Sequence, residues 1–212
     1  MHIYMIGRNL SLQGSGDDSL YQLARHSVLK GHKVTVFASA DDLDFDLGQK
    51  NIGLFMKSGI TMVAFNVPFN DQMSSIRKLL ADIKYARMAG KQGRLMPKPE
   101  MLIAKIPPIS VMPSVLRLKK LFDIPLILEV RDIWPDALVQ RGMLKNRFLI
   151  KRLSNLAKMF YENSDRIVTS KQENAALIRE RCSEQEKITA FKEGASDSEI
   201  SLIYDRLIEE LS

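Results

Sequence analysis

The feature that most constrains this chain is a repeated alternation between short apolar runs and longer segments of helical periodicity. The apolar runs, rich in valine and isoleucine, predict strands at residues 2–6, 33–39, 59–67, 101–107, 125–130 and 165–170, with a short seventh strand at 187–191. Helices are predicted at residues 17–32, 71–89, 114–123, 146–163, 171–182 and 196–211. Such alternation implies parallel strands joined by helical crossovers, and strands this apolar are covered on both faces. The sequence therefore predicts a Rossmann-like, doubly wound, mostly parallel α/β sheet flanked by helices.

The length of 212 residues fits one such domain with an appendage. We assign residues 1–195 to the domain and residues 196–212 to an acidic C-terminal helix, which is expected to pack on the sheet or on the basic helix. The segment 89–100 is rich in glycine, proline and cations, which predicts a mobile linker. The helix at 146–163 is strongly amphipathic, and its predicted inward side is formed by Phe148, Leu149, Leu153, Leu156, Ala157 and Phe160.

The cysteine content and the lack of recognisable targeting signals limit the classes of protein to which the chain can belong. Cys182 is the only cysteine, so no internal disulfide forms, and no Cys/His cluster predicts a metal site. No apolar run approaches the roughly 20 residues of a membrane span, and the first residues lack the pattern of a signal peptide. We expect a cytoplasmic protein without a bound metal.

The charge of the chain favours anionic partners, because the net charge is +6 and the pI about 9.4. The cations concentrate in the helix predicted at 71–89 and just beyond it, at Arg77, Lys78, Lys84, Arg87, Lys91 and Arg94. One interpretation is an ordinary amphipathic helix with a solvated cationic face, whose apolar positions are Ile76, Leu79, Leu80, Ile83 and Met88. The other is docking on an anionic membrane surface. Nucleic acid is not expected as a partner, because no recognition motif accompanies the charge.

The loop after the first strand contains "GSGDDS", which approaches the G-x-G-x-x-G fingerprint of dinucleotide sites. Two departures weigh against a nicotinamide cofactor: Gly14 lies about eight residues beyond the strand, and Ser19 stands where the third glycine would be. Two interpretations of Gly14 and Gly16 remain open. One is an unliganded loop, and the other is a phosphate-binding loop at a helix N-terminus.

A second polar segment, "RDIWPD" at residues 131–136, follows the strand predicted at 125–130. Ligands of open parallel sheets bind beyond the carboxyl ends of the strands. Arg131 offers a planar fork for phosphate or carboxylate, and Trp134 offers a flat apolar wall. Asp132 and Asp136 suit the first turn of a short helix. The alternative is an Arg–Asp ion pair with the tryptophan packed beneath a loop.

The three histidines do not define a catalytic site. His2 begins a strand, His26 lies within a helix, and His32 follows the end of that helix. No Ser/His/Asp or Cys/His arrangement follows from these positions, so the catalytic residues are left unassigned.

Residues 129–146, "EVRDIWPDALVQRGMLKN", resemble the N-terminal, acceptor-binding domain of family 4 glycosyltransferases of the GT-B fold. They are most similar to the bacterial subgroup that builds surface polysaccharides, in which V-R-D-x-W-P is typical. Three further stretches resemble the family in the same order: "LYQLARHSVLKGHKVTVFAS", "SDRIVTSKQENAALIRE" and "EKITAFKEGASD". The likeness covers roughly residues 1–197.

The resemblance implies a two-domain enzyme that binds a nucleotide sugar in its C-terminal half and an acceptor in its N-terminal half. Gly14 and Gly16 would then lie near the donor diphosphate, and Arg131, Asp132 and Trp134 would line the acceptor side. The acceptor in this subgroup is often a sugar on a polyprenyl diphosphate, which implies a location at the inner face of the plasma membrane.

The chain also departs from the family pattern. Residues 192–212 lack the Glu-x7-Glu donor motif, and Lys192, Glu193 and Gly194 stand where the family hinge has Pro-Asn-Gly. We therefore expect an acceptor-binding half that binds no cofactor itself and requires a donor-binding half from a partner or a missing domain. The alternatives are a non-catalytic remnant that serves as a binding or membrane-docking subunit, and a nucleotide-dependent oxidoreductase.

Overall fold

The computed structural model describes residues 1–8, 19–41, 43, 45–70, 72–192 and 194–212. In this part of the chain, eight strands form a single sheet. They are β1 (His2–Ile6), β2 (Lys33–Ser39), β3 (Ile52–Lys57), β4 (Ile60–Phe65), β5 (Met101–Ile106), β6 (Leu126–Val130), β7 (Arg166–Thr169) and β8 (Ile188–Ala190). Their order is β3-β4-β2-β1-β5-β6-β7-β8, and every neighbouring pair is parallel except β3 and β4. The predicted Rossmann-like, mostly parallel architecture is confirmed.

Helices cover both faces of this sheet. One face carries α1 (Ser19–Leu29) and α7 (Asp197–Leu211). The other carries α2 (Ser75–Leu95), α3 (Met112–Phe122), α5 (Arg147–Glu162) and α6 (Gln172–Arg179). The short α4 (Asp136–Gln140) follows the loop after β6, and 3-10 turns occupy Ile109–Val111 and Gln185–Lys187. The apolar residues of the central strands are buried because both faces are covered.

The order of the strands places a crevice between β1 and β5. The chain first builds outward from β1 through β2 to β4, and then returns to pair β5 with the other side of β1. The helices that follow these two strands therefore lie on opposite faces of the sheet, α1 (Ser19–Leu29) after β1 and α3 (Met112–Phe122) after β5. Such a switch point is where open α/β sheets bind their ligands.

Two predictions along the chain were wrong. The antiparallel edge strand β3 was missed, and the predicted linker at 89–100 is helical in its first part, because α2 continues to Leu95. Gly90 and Gly93 do not make this segment a linker. They lie within α2, at positions where it packs against α3. A Cβ atom on Gly90 would lie 2.8 Å from Ser114 Cβ, and one on Gly93 would lie 2.9 Å from Leu118 Cδ1, so both glycines allow α3 to approach closely.

The predicted inner face of α5 was only partly right. Ala157 and Phe160 are buried, and Leu153 is partly buried, whereas Phe148, Leu149 and Leu156 are exposed. The first turns of α2 differ in the same way, because Ile76, Leu79 and Leu80 are exposed while Ile83 and Met88 are partly buried. Tyr85, Ala86 and Ala89 form the buried side of α2 instead.

The acidic helix α7 packs on the sheet and on α1, not on the basic helix. Tyr204, Leu207 and Ile208 join the core on the α1 side of the sheet. Asp205 binds His26 of α1 at 2.9 Å between Oδ2 and Nε2, and its Oδ2 lies 3.2 Å from Lys30 Nζ. Asp205 therefore links α7 to two side chains of the α1 segment.

Candidate functional site

A cavity of about 300 Å³ lies at the carboxyl edge of the sheet, at the switch point. Its lining comes from the ends of β1, β5, β6 and β7, and consists of Arg8, Lys105, Pro107, Arg131, Asp132, Ser170 and Lys171. Four of these residues are cations and one is an acid. The cavity is thus a polar, cation-rich cleft where four neighbouring strands end.

Arg8 is the most unusual residue of this cleft, because only 3% of it is exposed. Its Nη1 donates to Asp82 of α2, and its guanidinium carbon lies 3.4 Å from the centroid of the Phe69 ring. Its Nε and Nη2 are buried and have no hydrogen-bond acceptor among the described residues. Burying donors without an acceptor is energetically costly.

Asp82 balances Arg8 from the side of α2. Burial raises the pKa of Asp82, and the neighbouring guanidinium of Arg8 opposes that rise. The pair is a partly buried ion pair at the rim of the sheet. It holds the Arg8 side chain against Phe69.

Lys105 forms part of the floor of the cleft, although it belongs to an otherwise apolar strand. It lies opposite Glu129 in the register of β5 and β6. Its Nζ lies 3.2 Å from Glu129 Oε1 and donates to Ser19 Oγ at 2.6 Å. The hydroxyl of Tyr204 donates to Glu129 Oε2 at 2.8 Å. A buried polar network therefore connects the cleft with the N-terminus of α1 and with α7.

Of the site residues predicted after β6, Arg131 and Asp132 line the cleft. Arg131 is exposed, and its backbone is held by two bonds: its N–H donates to Ile106 O at 3.1 Å, and its carbonyl accepts from Asn174 at 2.8 Å. Asp132 lies 3.5 Å from Arg141, measured from Oδ2 to Nη2. The loop therefore directs both side chains to the end of the sheet.

Trp134 and Asp136 lie elsewhere. Asp136 receives two bonds from Arg181, from Nη1 to Oδ2 at 2.7 Å and from Nη2 to Oδ1 at 2.8 Å. These bonds lower the pKa of the Asp136 carboxyl, although its partial burial acts in the opposite direction. Trp134 is partly buried, and its carbonyl also accepts from Arg181 at 3.2 Å. For Asp136 the ion-pair interpretation is the one that the structure supports, with Arg181 as the partner.

Gly14 and Gly16 lie outside the described residues. The neighbouring Ser19 begins α1 and contacts Lys105. A second cavity, of about 570 Å³, shares Ser170 and Lys171 with the cleft and extends to Gly194. The two cavities are therefore neighbours at the carboxyl edge of the sheet.

Sequence reasoning missed Arg8, Lys105, Ser170 and Lys171. One signal was available for Lys105, because a lysine within the run "MLIAKI" contradicts the apolar pattern of a buried strand. Arg8, Ser170 and Lys171 follow strands directly, at the positions that face ligands in a parallel sheet. Their types alone gave no signal, because serine and cations are common on protein surfaces.

The cationic patch predicted on α2 divides into two parts. Near the cleft, Lys84 donates to the Asn66 carbonyl at 3.0 Å and Lys78 Nζ lies 5.3 Å from the Phe69 ring, while Arg77 is exposed. Farther along, a groove of about 360 Å³ runs between α2 and α3, lined by Arg87, Gly90, Lys91, Arg94, Ser114 and Arg117. The second part thus gains a cation from α3.

Two features are absent from the described residues. They contain no group of three or more histidine, cysteine, aspartate or glutamate side chains placed to hold a metal ion. No helix among them is both long and apolar enough to cross a membrane.

Comparison with known proteins gives a match in fold. The chain matches no protein-family model, and no curated protein matches it in sequence. A structure of sucrose-phosphate synthase from Thermosynechococcus elongatus superposes with a TM-score of 0.61 and 12% identity, over 100% of this chain and 99% of that chain. UGT89C1 of Arabidopsis thaliana in complex with quercetin gives a TM-score of 0.56 and 14% identity, over 97% of this chain and 55% of that chain.

The same plant protein in complex with UDP gives a TM-score of 0.56 at 12% identity, over 97% of this chain and 56% of that chain. The present chain therefore spans about half the length of UGT89C1. Identities this low establish the fold alone. The chain has the Rossmann-like fold found in glycosyltransferases of the GT-B class.

Proposed function

We propose that this chain is the acceptor-binding half of a glycosyltransferase that acts in polysaccharide or glycan biosynthesis. The observation that carries the proposal is the cation-rich cleft at the switch point of a GT-B-type sheet, where two donor atoms of the buried Arg8 have no acceptor among the described residues. A sugar linked to a diphosphate would place its anionic group there. The family resemblance of residues 129–146 agrees with this assignment.

Each residue of the cleft has a distinct role in binding the proposed acceptor. Arg131 supplies an exposed guanidinium that grips phosphate oxygens in two-point contacts, and Arg8 adds a fixed donor from the floor. Lys171, which also lines the cleft, adds positive charge. Asp132, which also lines the cleft, accepts hydrogen bonds from sugar hydroxyls.

The reaction breaks the bond between the anomeric carbon of the donor sugar and its nucleoside diphosphate, and forms a bond from that carbon to an acceptor hydroxyl oxygen. The hydroxyl proton is lost, and the nucleoside diphosphate leaves with the bonding electrons. This chain would contribute the position and orientation of the acceptor hydroxyl, which accelerates a two-substrate reaction strongly. The nucleotide sugar would bind to a second half, supplied by a partner or by further sequence, across the cavity that reaches Gly194.

Titration with inorganic pyrophosphate tests the anion site directly. We expect binding to the 212-residue chain and at least about tenfold weaker binding to Arg131→Ala, since a charge-assisted bidentate contact is lost. Arg25→Ala, an exposed cation on α1, is the matched control and should bind as the parent does. Equal affinities for all three proteins would refute the proposed cleft.

Mixing experiments test the transfer activity. Turnover of a nucleotide sugar should require both this chain and a donor-binding chain that carries Glu-x7-Glu. Arg131→Ala should raise KM for the acceptor more than it lowers kcat. Absence of turnover in every such mixture, with pyrophosphate binding retained, would favour the non-catalytic alternative.

That alternative is a binding subunit that docks on membranes, and one observation favours it. The first turns of α2 expose Ile76, Leu79 and Leu80 beside the exposed Arg77, so apolar and cationic side chains share one surface. The same surface would bring the catalytic form to a lipid-linked acceptor. Partner-dependent turnover is therefore the measurement that separates the two candidates.

A further inference from the structure

The strand β3 (Ile52–Lys57) forms one end of the sheet, and no described element pairs with its outer side. The proposed sugar transfer does not use this edge, because β4 and β2 separate it from the crevice beside β1. A free edge presents unpaired N–H and C=O groups, which natural proteins usually protect with proline, charged side chains or a bulge. Residues 51–56 contain no proline and no charged residue, and β3 pairs with β4 without a bulge. The edge is therefore open to pairing with another strand.

The hairpin of β3 and β4 determines which backbone groups of β3 point outward. Ser58 and Gly59 join the two strands with positive φ angles, of 51° and 78°, as a two-residue type I′ turn requires. The Asn66 N–H donates to the Asn51 carbonyl at 2.9 Å, so the backbone of Asn51 faces β4. The direction of the backbone groups alternates from residue to residue in an antiparallel pair. The N–H and C=O groups that point away from the sheet therefore belong to Ile52, Leu54 and Met56.

The side chains of the same three residues add an apolar surface to this free edge. Ile52, Leu54 and Met56 lie on one face of β3, and they are 36%, 59% and 72% exposed. Leu54 lies opposite Val63 of β4, which is fully buried. The apolar layer of the sheet thus continues to its edge, where no described residue covers it.

We infer that β3 pairs with β3 of a second copy of this chain, antiparallel and about a two-fold axis at Leu54. In this register Leu54 faces its own copy, and Ile52 of each chain faces Met56 of the other. The outward N–H and C=O groups of all three residues then meet outward groups of the second copy. Each exposed apolar side chain gains an apolar neighbour across the new strand pair.

The neighbouring symmetric registers fit less well. An axis one residue earlier would place Met56 opposite Lys50 of the second copy, and an axis one residue later would place Ile52 opposite Ser58. Both arrangements would pair an apolar side chain with a polar one. Only the axis at Leu54 pairs the three outward residues among themselves.

The charges near β3 agree with the same axis. Lys57 would face Asn51 of the second copy, and Lys50 would face Ser58, so no two cations lie directly opposite each other. The pairing is isologous and uses the free edge of both copies, so it closes at a dimer. A second copy therefore satisfies the backbone, the apolar side chains and the charges of this edge together.

Sedimentation velocity of the 212-residue chain over a range of concentrations tests the inference. We expect a monomer–dimer equilibrium in the parent. Leu54→Lys should weaken dimerisation at least about tenfold, because like charges would face each other at the axis. Leu54→Glu should have the same effect. An equimolar mixture of the two variants should form a heterodimer, since opposite charges then meet at the axis, and this recovery excludes a fault in folding as the cause.

Leu54→Pro tests the backbone pairing separately. The N–H of Leu54 points outward, so proline removes no bond between β3 and β4, and edge strands tolerate proline at such positions. We expect a folded monomer. Leu202→Lys is the matched control, because Leu202 is 62% exposed but lies on α7. This variant should dimerise as the parent does, and thermal unfolding should show that all variants remain folded.

Three outcomes would overturn the inference. The first is a parent that stays monomeric at every concentration, including one that instead binds a donor-binding chain through this edge. The second is a dimer that forms equally well in Leu54→Lys and Leu54→Pro, which would place the interface elsewhere. The third is a mixture of the Lys and Glu variants that does not recover the dimer, which would remove Leu54 from the axis.

The inference does not rest on the proposed function, because a chain with or without transferase activity would pair in the same way. Pyrophosphate binding by Leu54→Lys should equal that of the parent, since the cleft lies at the other side of β4 and β2. Failure of dimerisation is therefore distinguishable from failure of the proposed acceptor site.

Discussion

The Lys105 ammonium lies 3.2 Å from Glu129 Oε1, at paired positions of two adjacent parallel strands. Only 2% of Lys105 is exposed, and the second oxygen of Glu129 accepts the Tyr204 hydroxyl at 2.8 Å. A buried ion pair of this kind adds little net stability, but removing one partner is very costly. The pair therefore fixes the ends of β5 and β6 to α7 directly beneath the cleft.

Lys105→Met should destabilise the chain by about 3–5 kcal/mol, because Glu129 would remain buried without its cation. Urea denaturation at neutral pH measures the change in the free energy of unfolding. The double variant Lys105→Met, Glu129→Leu should recover most of that loss, since two apolar residues of similar volume replace the pair. A single variant as stable as the parent would mean that the two charges do not interact in solution.

Arg8→Met tests the second buried cation. Asp82 would lose its partner, and its pKa, already raised by burial, should rise further. The native state then binds more protons than the unfolded state between the two pKa values, so its stability falls as the pH rises. We expect the free energy of unfolding of Arg8→Met to be about 3 kcal/mol below that of the parent at neutral pH, and this difference should shrink toward pH 5.

Thermal unfolding of the parent and of Arg8→Met, at several pH values between 5 and 8, checks this expectation. The double variant Arg8→Met, Asp82→Asn is the control. It has no carboxyl at position 82, so this pair should not make its loss of stability depend on pH. A deficit of Arg8→Met that is constant across the range would contradict the role given to Asp82.

The Asp136–Arg181 pair should contribute to the acid stability of the loop after β6. Hydrogen bonds from Arg181 lower the pKa of Asp136 below its ordinary value of 3.8. For a depressed carboxyl pKa the stabilisation is present above the unfolded value and is lost as the pH falls through the folded value. Asp136→Asn should therefore cost about 1–2 kcal/mol at neutral pH and progressively less below about pH 4.

Chemical denaturation of the parent and of Asp136→Asn at pH 7 and pH 3 measures that difference. Asp46→Asn, in an exposed segment, provides a comparison that leaves Arg181 untouched. If the two variants lose the same stability at both pH values, the pair is not formed.

The sheet could be predicted from the sequence because its strands are buried on both faces. The continuous apolar runs of β1, β2 and β6 leave few alternatives. The edge strand β3 could not be predicted in that way, since Leu54 and Met56 are exposed and Gly53 interrupts the pattern. This strand forms because its backbone can pair with β4, and its own sequence carries no strand periodicity.

The candidate site was predictable only in its position. The carboxyl edge follows from the parallel topology, and Arg131 and Asp132 lie at that edge. Trp134 and Asp136 were placed in the same site because they are close in sequence, but Arg181, from distant sequence, binds both. Such pairs depend on the packing of α6 against the loop, which no local pattern encodes.

For the helix surfaces, the sequence pattern predicted burial that the structure does not show. Apolar residues at helical spacing predicted a buried side for α5, yet Phe148 and Leu156 are exposed. Periodicity identifies an apolar stripe but does not say what covers it.

The close contact of α2 with α3 gives a last prediction, from two glycines on one helix. Alanine at either position gains about 1 kcal/mol of helix propensity, but the new Cβ meets different obstacles. At Gly90 it would lie 2.8 Å from Ser114 Cβ, which cannot move without its backbone, whereas at Gly93 it would meet the flexible tip of Leu118. Gly93→Ala should therefore be neutral or stabilising, and Gly90→Ala destabilising by about 1–2 kcal/mol net.

Thermal unfolding of both variants measures the contrast, and Ser114→Gly should rescue Gly90→Ala. Equal effects of the two alanines would show that α2 and α3 do not approach this closely.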